Sequence, residues 1–567
     1  MSIASRHARL FLPPSATAVF IAAAIAATTA SPLARAGNVA ATPGAPVLDN
    51  QLLAVAVPDE CFNGIGVDYP PMNPDGTCPE GIPKINESRI WGLTQESGKL
   101  WFGTLANSQC VVTGQVKGDD PSPILNNLYV CEFGQSEGAR THPDVPAALG
   151  DWRPPAIYSY EMATGTLVKQ DIQDRRINQT LGFRGAGSID NIAFLGGQST
   201  FRTTSAINIF AFKADTGDYL GSCSRTDYNY IRGWGLVDGV LYVGVGSRTH
   251  GAVLRWDGSM ASFPGDFCSA FSEVASLPAA VANLTLYTGG DGRDRLAATT
   301  VALKDPVVAG APGIGTWVSS PIPPGGFTPD NPGTWRQVWG PAQYDPDKIT
   351  GRFGYSGGAI AQYEGWLYWG TIHLGGNAAM GVHQKCTASY CFGTAANDAE
   401  LEALKDGVYR STSLWRGRNL EDPGTREIQL LYGEAELPAC CVEAKTFAMA
   451  PTGWTPLYGR SGFGNPNNEY TWRMAVFGGH LYIGTYDTSA LQGAWMEAGA
   501  DLWRFDSPDS PAVNQDHTGL GNRLNSGIRA LEALDDGSGL IVGTSNGFNL
   551  SPNGGWELIL LKENTPQ

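Results

Sequence analysis

Lys99-Leu100-Trp101-Phe102-Gly103-Thr104 is a phrase that the chain repeats. It returns as Val240-Leu241-Tyr242-Val243-Gly244-Val245 and as Trp366-Leu367-Tyr368-Trp369-Gly370-Thr371. It returns again as His480-Leu481-Tyr482-Ile483-Gly484-Thr485 and as Leu540-Ile541-Val542-Gly543-Thr544. Each copy follows a Gly-bearing turn and another apolar run. That is the pattern of a repeated antiparallel sheet, in which one supersecondary unit recurs and its copies cover each other's faces. The alternating aromatics Trp101, Tyr242, Tyr368 and Tyr482 are then the side chains expected to fill the space between units.

Reading outward from these copies gives seven units. Unit one takes strands at 89–93, 100–104, 127–133 and 156–161. Unit two takes 191–195, a turn at Gly196-Gly197, then 199–203 and 206–213. Unit three takes 232–237, the hairpin turn Asp238-Gly239, 241–245 and 252–257. Unit four takes 282–288, 295–301 and 315–319. Unit five takes 358–363, 366–372, 407–414 and 427–432. Unit six takes 473–477, 481–486 and 500–505. Unit seven takes 528–534, 540–544, 548–550 and 556–561. The succession resembles the blade repeat of β-propeller proteins in general, over roughly 88–563. The resemblance implies an all-β fold, a seven-bladed β-propeller of four-stranded antiparallel blades, in which a closed ring protects the sheet edges. The Trp-Asp and Gly-His pairs of WD40 blades and the kelch pattern are absent, so no family's catalytic residues carry over.

The ends of the chain read differently. Residues 1–36 combine Arg6 and Arg9, an apolar stretch from Ala16 to Ala27 and the small-x-small site Ala34-Arg35-Ala36. This is a secretory signal, and its cleavage takes the formal charge from -16 to -19, since it holds three arginines and no acid. Residues 37–87, rich in Pro, Gly and Asn, are expected as an extended N-terminal arm with a disulfide loop, and 51–57 within them as a strand. Residues 564–567 are a tail. No later stretch is long and apolar enough for a membrane span. An acidic exported chain is a poor partner for nucleic acid. Its destination is the periplasm or the exterior. Ten cysteines in an oxidising compartment favour disulfides, and proximity suggests Cys61–Cys78, Cys110–Cys131, Cys223–Cys268, Cys386–Cys391 and Cys440–Cys441.

Three signals bear on function. In a propeller the first strand of each blade lines the channel, and Arg89, Arg232, Arg473 and Arg529 stand on or beside first strands. Guanidiniums gathered there would favour a carboxylate, sulfate or phosphate. The competing reading is pairing with Glu87, Asp227, Glu469 or Glu532. Second, Cys440 and Cys441 are adjacent in a long loop between units five and six, and a ring disulfide there would be a flat, polarisable surface for a planar ligand or a redox group. Such a ring lies against the quinone of alcohol dehydrogenase propellers, whose blade motifs this chain lacks. The competing reading is that each cysteine pairs elsewhere. Third, His250 and His373 follow second strands, where they would share a metal with Tyr486 or Asp487; calcium through Asp and backbone oxygens is the alternative, with Asp291-Gly292-Arg293-Asp294 suggestive. These signals favour a binding module for a small or extended anionic ligand at the face over units five and six. A metal- or quinone-dependent oxidoreductase or hydrolase and a surface scaffold are the alternatives. Substrate, cofactor and oligomeric state are not legible.

Overall fold

In a computed structural model of the chain, residues 47–117, 122–136, 145–149, 151–199, 205–302, 313–373, 377–441, 445–494 and 497–564 are described. The secretory signal expected at 1–36 lies outside them. Twelve strands form three separate four-stranded antiparallel sheets and sixteen more are hydrogen-bonded into one larger antiparallel sheet, and the pairings follow the repeat. Unit one is Glu87–Glu96, Lys99–Ala106, Ile157–Glu161 and Thr166–Lys169. Unit two is Thr180–Ile189, Ile192–Ser199, Ile207–Lys213 and Tyr219–Arg225. Unit three is Tyr230–Val237, Val240–Gly246, Gly251–Trp256 and Phe271–Leu277. Unit four is Ala280–Thr288, Asp294–Val301, Thr316–Ser319 and Trp335–Trp339. Unit five is Tyr355–Tyr363, Trp366–His373, Leu414–Arg418 and Glu427–Tyr432. Unit six is Asn468–Phe477, His480–Asp487, Leu502–Phe505 and Val513–Asp516. Unit seven is Gly527–Ala533, Leu540–Ser545 and Glu557–Asn564, completed by Val47–Val55 from the other end of the chain. The fold is all-β and propeller-like.

The repeated phrase explains this packing. Tight hairpins join first to second strands through residues with positive φ at both central positions, such as Ser97-Gly98 (54°, 77°) and Asp238-Gly239 (49°, 74°), the geometry that matches strand twist. The glycine of the phrase is where the next unit's first strand presses in. A Cβ on Gly103 would stand 2.2 Å from Phe183, one on Gly244 2.6 Å from Val281, and one on Gly484 2.4 Å from Ile528. At Gly543 the intruding neighbour is Ile90 of unit one, and the first strands of units seven and one lie against each other like every other successive pair. The threonine of the phrase has a separate task. The hydroxyls of Thr104, Thr371, Thr485 and Thr544 accept the backbone N–H of Ala156, Ser413, Asp501 and Glu557, each at the entry to a third strand. The aromatics between are fully buried: Trp101 packs on Phe212 of unit two and Tyr368 on Phe505 of unit six. Burial of each such side chain is worth about 1.5–3 kcal/mol.

Four expectations shift. In unit two the first strand is 180–189, not 191–195, and Gly196-Gly197 lies inside the second strand, because these glycines make room for Ile231 and for the Gly182 backbone. In unit one, 127–133 contributes only the short ribbon strand Val130–Cys131, and 157–161 is the third strand. In unit five the expected strand 407–414 is not one: 407–408 end the helix Asp398–Val408, which is capped by Asn397, whose side chain accepts the N–H of Glu400, and the third strand is Leu414–Arg418. In unit seven 548–550 is a turn, and part of the expected arm supplies the outer strand. All five expected disulfides form, as suits an oxidising compartment. No helix among the described residues is long and apolar enough to cross a membrane.

Candidate functional site

Every first strand carries a register shift opposite the phrase in its second strand: between Ile90 and Gly92, Phe183 and Gly185, Ile231 and Trp234, Val281 and Asn283, Gly357 and Ile360, Thr471 and Arg473, and Ile528 and Ala530. A bulge breaks strand alternation and re-aims the side chain it holds. The residues at these bulges include Arg184, Arg232 and Arg529, with Trp91 and Trp472 at two others. Arg89 and Arg473 stand beside the two tryptophans. Five arginines from units one, two, three, six and seven thereby come together.

Aromatic faces separate them. The Arg89 guanidinium lies 4.9 Å from the Trp472 ring centre and 5.9 Å from that of Trp91. Arg184 lies 5.4 Å from Trp91 and 4.6 Å from Tyr230, and Arg529 lies 5.4 Å from Trp472. Hydrogen bonds are sparse. Arg89 Nε donates to Ser545 Oγ (2.9 Å), and Arg473 Nε to the Arg529 carbonyl (3.1 Å). Arg473 also reaches Asn283 Oδ1 at 3.4 Å, while the Asn283 amide donates to the Gly358 carbonyl (2.7 Å). Buried donors are left over: Nε of Arg184, Nε and Nη2 of Arg232, and Nε and Nη1 of Arg529. The Tyr230 hydroxyl is likewise buried and completes no hydrogen bond, although Arg184 and Arg232 stand beside it.

Among the described residues no carboxylate lies at ion-pair distance from these arginines, although Glu96, Glu532 and Asp535 line the same cavity as Arg232 and Arg473. Among the described residues none of the five arginines makes an ion pair. The acids considered as partners are otherwise engaged or have their ionisation opposed by burial. Asp227 is bound by Arg225. Glu469 bonds Thr488, and burial pushes it up to about 7. Burial likewise pushes Glu87 to about 7, and Glu532 to about 8 despite Arg473 nearby. The arginines register the deficit. Burial brings Arg89 and Arg473 down to about 10, and burial together with the charges of Arg473 and Arg232 drives Arg529 well below its ordinary value. Burial would raise Tyr230, yet Arg184 and Arg232 outweigh it and bring the hydroxyl below its usual range. Two cavities meet at Trp234 and Arg473: one of about 310 Å³, lined by Thr94, Ser188, Arg232 and Glu532, and one of about 480 Å³, lined by Asn283, Ala359 and Gln362. Between them their walls draw on all seven first strands.

The remaining expected site residues divide. Tyr486 joins the arginines, stacked on Tyr470 and tilted against Trp472, both at 4.8 Å, beside Arg89. Asp487 turns away; its carboxylate accepts from Asn465 Nδ2 and the Ser489 N–H, both at 2.7 Å. His373 is buried between Tyr355 and Tyr409, each 5.9 Å away, and burial with the Arg410 charge pushes it down to about 3. It is neutral at any ordinary pH. Cys440 and Cys441 bond to each other, but in a side cluster with Phe392, Leu404 and Phe447, where the Cys440 N–H donates to Asp347 (2.8 Å). The expected convergence of cysteines and arginines over units five and six therefore does not occur. His250 bonds Ser247 in unit three, so the shared histidine metal site is not assembled. The Asp291 carboxylate, offered as a calcium ligand, is taken by Arg293 and Arg295, both at 2.7 Å. Among the described residues the one set with metal-ligand proximity is Cys110, Cys131 and Asp151, and its two sulfurs are bonded to each other.

Sequence reasoning missed Arg184, Trp91, Tyr230 and Trp472. A signal was present: Phe183-Arg184-Gly185 repeats the apolar-Arg-Gly pattern of Ile231-Arg232-Gly233.

No family model and no curated protein matches the chain. Solved structures similar to it include Pseudomonas fluorescens PhoX in complex with vanadate (9% identity, TM-score 0.41, 91% of this chain and 95% of that one). They also include the β-propeller domain of the Trilobed protease from Pyrococcus furiosus (7%, TM-score 0.27, 67% and 93%) and a prolyl endopeptidase (7%, TM-score 0.32, 85% and 51%). The chain spans about half the length of that endopeptidase.

Proposed function

We propose that this is an exported seven-bladed β-propeller whose central channel binds a small anionic ligand through Arg89, Arg184, Arg232, Arg473 and Arg529. Residues 1–36 serve as its removable signal, and the strand Val47–Val55 closes the ring on unit seven. One observation carries the binding reading: of five gathered guanidiniums, those of Arg184, Arg232 and Arg529 have buried donors left over, and among the described residues none of the five is in an ion pair. An uncompensated buried charge costs several kcal/mol, and leaving the second partner of an ion pair unpaired typically costs 3–5 kcal/mol. A bound anion is the simplest group that offsets that cost, and guanidinium forks match oxyanions bidentately. The site moves inward from the loop face to the channel wall.

The test is thermal unfolding of the purified chain with increasing sulfate at constant ionic strength. A ligand present at a hundred times its Kd adds about 2.7 kcal/mol to the stability of the folded state. The expected result is a concentration-dependent rise that Arg232→Ala removes. Absence of any rise with sulfate, phosphate or acetate would overturn the reading.

A further inference from the structure

The unpaired donors also restrict which anion fits. We infer that the channel is built for a tetrahedral oxyanion carrying at least two charges, of the phosphate or phosphate-ester kind, with Tyr230 supplying a hydroxyl donor beside the arginines; this rests on the anion-binding reading above. Five buried guanidinium nitrogens, from Arg184, Arg232 and Arg529, and the Tyr230 hydroxyl have no acceptor. They belong to three different units and so approach from different directions. A single carboxylate is planar and is saturated by one guanidinium fork. It would leave most of these donors unmet. A tetrahedral oxyanion turns its oxygens toward several walls at once. The charge balance points the same way. Glu532, beside Arg473, is held largely protonated at neutral pH by burial, and Glu96 and Asp535, which line the same cavity, make no ion pair with the five arginines among the described residues. The Tyr230 proton is made more acidic by Arg184 and Arg232 against the effect of its burial, which suits donation to a strong acceptor. The side chains of Ala280, Ala282 and Val301, which pack on Tyr230, hold no acceptor.

Titration calorimetry on the full chain at constant ionic strength tests this with inorganic phosphate, pyrophosphate, sulfate, citrate and acetate. Phosphate or pyrophosphate is expected to bind about thirtyfold more tightly than acetate. Tyr230→Phe should weaken phosphate about tenfold while changing acetate little. The conservative Arg529→Lys, which keeps the charge and loses the fork, should weaken phosphate and keep the protein folded. Acetate binding as tightly as phosphate and sulfate overturns this inference and leaves anion binding standing. Citrate binding more tightly than every phosphate compound replaces the tetrahedral ligand with a polycarboxylate and also overturns it. Failure of every anion to bind removes both readings together.

Discussion

Arg410 and Arg529 are both almost wholly buried, and they are opposites. Arg410 donates to both Asp345 oxygens at 2.7 and 3.2 Å, and to the carbonyls of Gly407, Tyr409 and Pro438 at 2.7–2.9 Å. Burial works against its charge, but Asp345 outweighs that and holds it above its ordinary value. Arg529 faces other arginines. Its Nε and Nη1 have no partner, its Nη2 makes one long contact to the Arg184 carbonyl at 3.5 Å, and its charge is disfavoured. Burial of an arginine therefore says little until its donors are counted. Where they are all met the residue holds the fold together, tying the loop before unit five to the end of the helix Asp398–Val408. Where they are not, as at Arg529, buried donors stand without a hydrogen-bond partner.

The largest effect that separates the two belongs to Arg410. Arg410→Ala strands a buried Asp345 and should destabilise the protein by about 3–5 kcal/mol, read from denaturant unfolding, while anion affinity in the folded fraction stays unchanged. Loss of anion binding with intact stability would reverse the assignment. The next effect has the opposite sign. Arg529→Met replaces an unpaired cation with an apolar side chain of similar length, a change that is often neutral or stabilising by about 1–4 kcal/mol. In anion-free buffer the variant should be at least as stable as the wild type, and it should lose the stabilisation by phosphate. A marked drop in anion-free stability would make Arg529 a structural residue like Arg410.

This contrast also marks what the sequence could show. The phrase at Gly103-Thr104, Gly370-Thr371 and Gly484-Thr485 was legible because each copy performs the same two local tasks, admitting a neighbouring strand and fixing the next one. The arginines at 89, 232, 473 and 529 were legible by position. Arg184 was not, because Gly196-Gly197 has the composition of a turn while serving as a close-packing surface, which displaced the first strand of unit two. The pairing of Val47–Val55 with Glu557–Asn564 joins distant parts of the sequence, and no local pattern encodes such a pairing. Least legible was the lack of ion pairs to these arginines among the described residues. Glu87, Glu469 and Glu532 lie close to the arginines in sequence, and only the folded geometry shows that burial raises all three well above the usual carboxylate range.

Glu532 gives the smallest and most specific test, because it decides how complete the charge deficit is. Its folded value of about 8 lies above the ordinary 4.5, chiefly through burial. Between those two values the native state binds more protons than the unfolded state, so this residue makes stability fall as pH rises. Its contribution is intact below about 4.5 and is lost as pH climbs through 8. Glu532→Gln keeps the shape and removes the titration. The variant should therefore pull ahead of the wild type in stability across that window, measured as the difference in unfolding free energy at successive pH values. Anion affinity of the wild type should also decline above pH 8, where the ionised carboxylate competes for Arg473, by less than about tenfold. In Glu532→Gln that decline should vanish. A stability difference that does not change with pH would mean that Glu532 is ionised throughout, already paired with Arg473, and that the channel resembles the Arg410 site more than its other donors indicate.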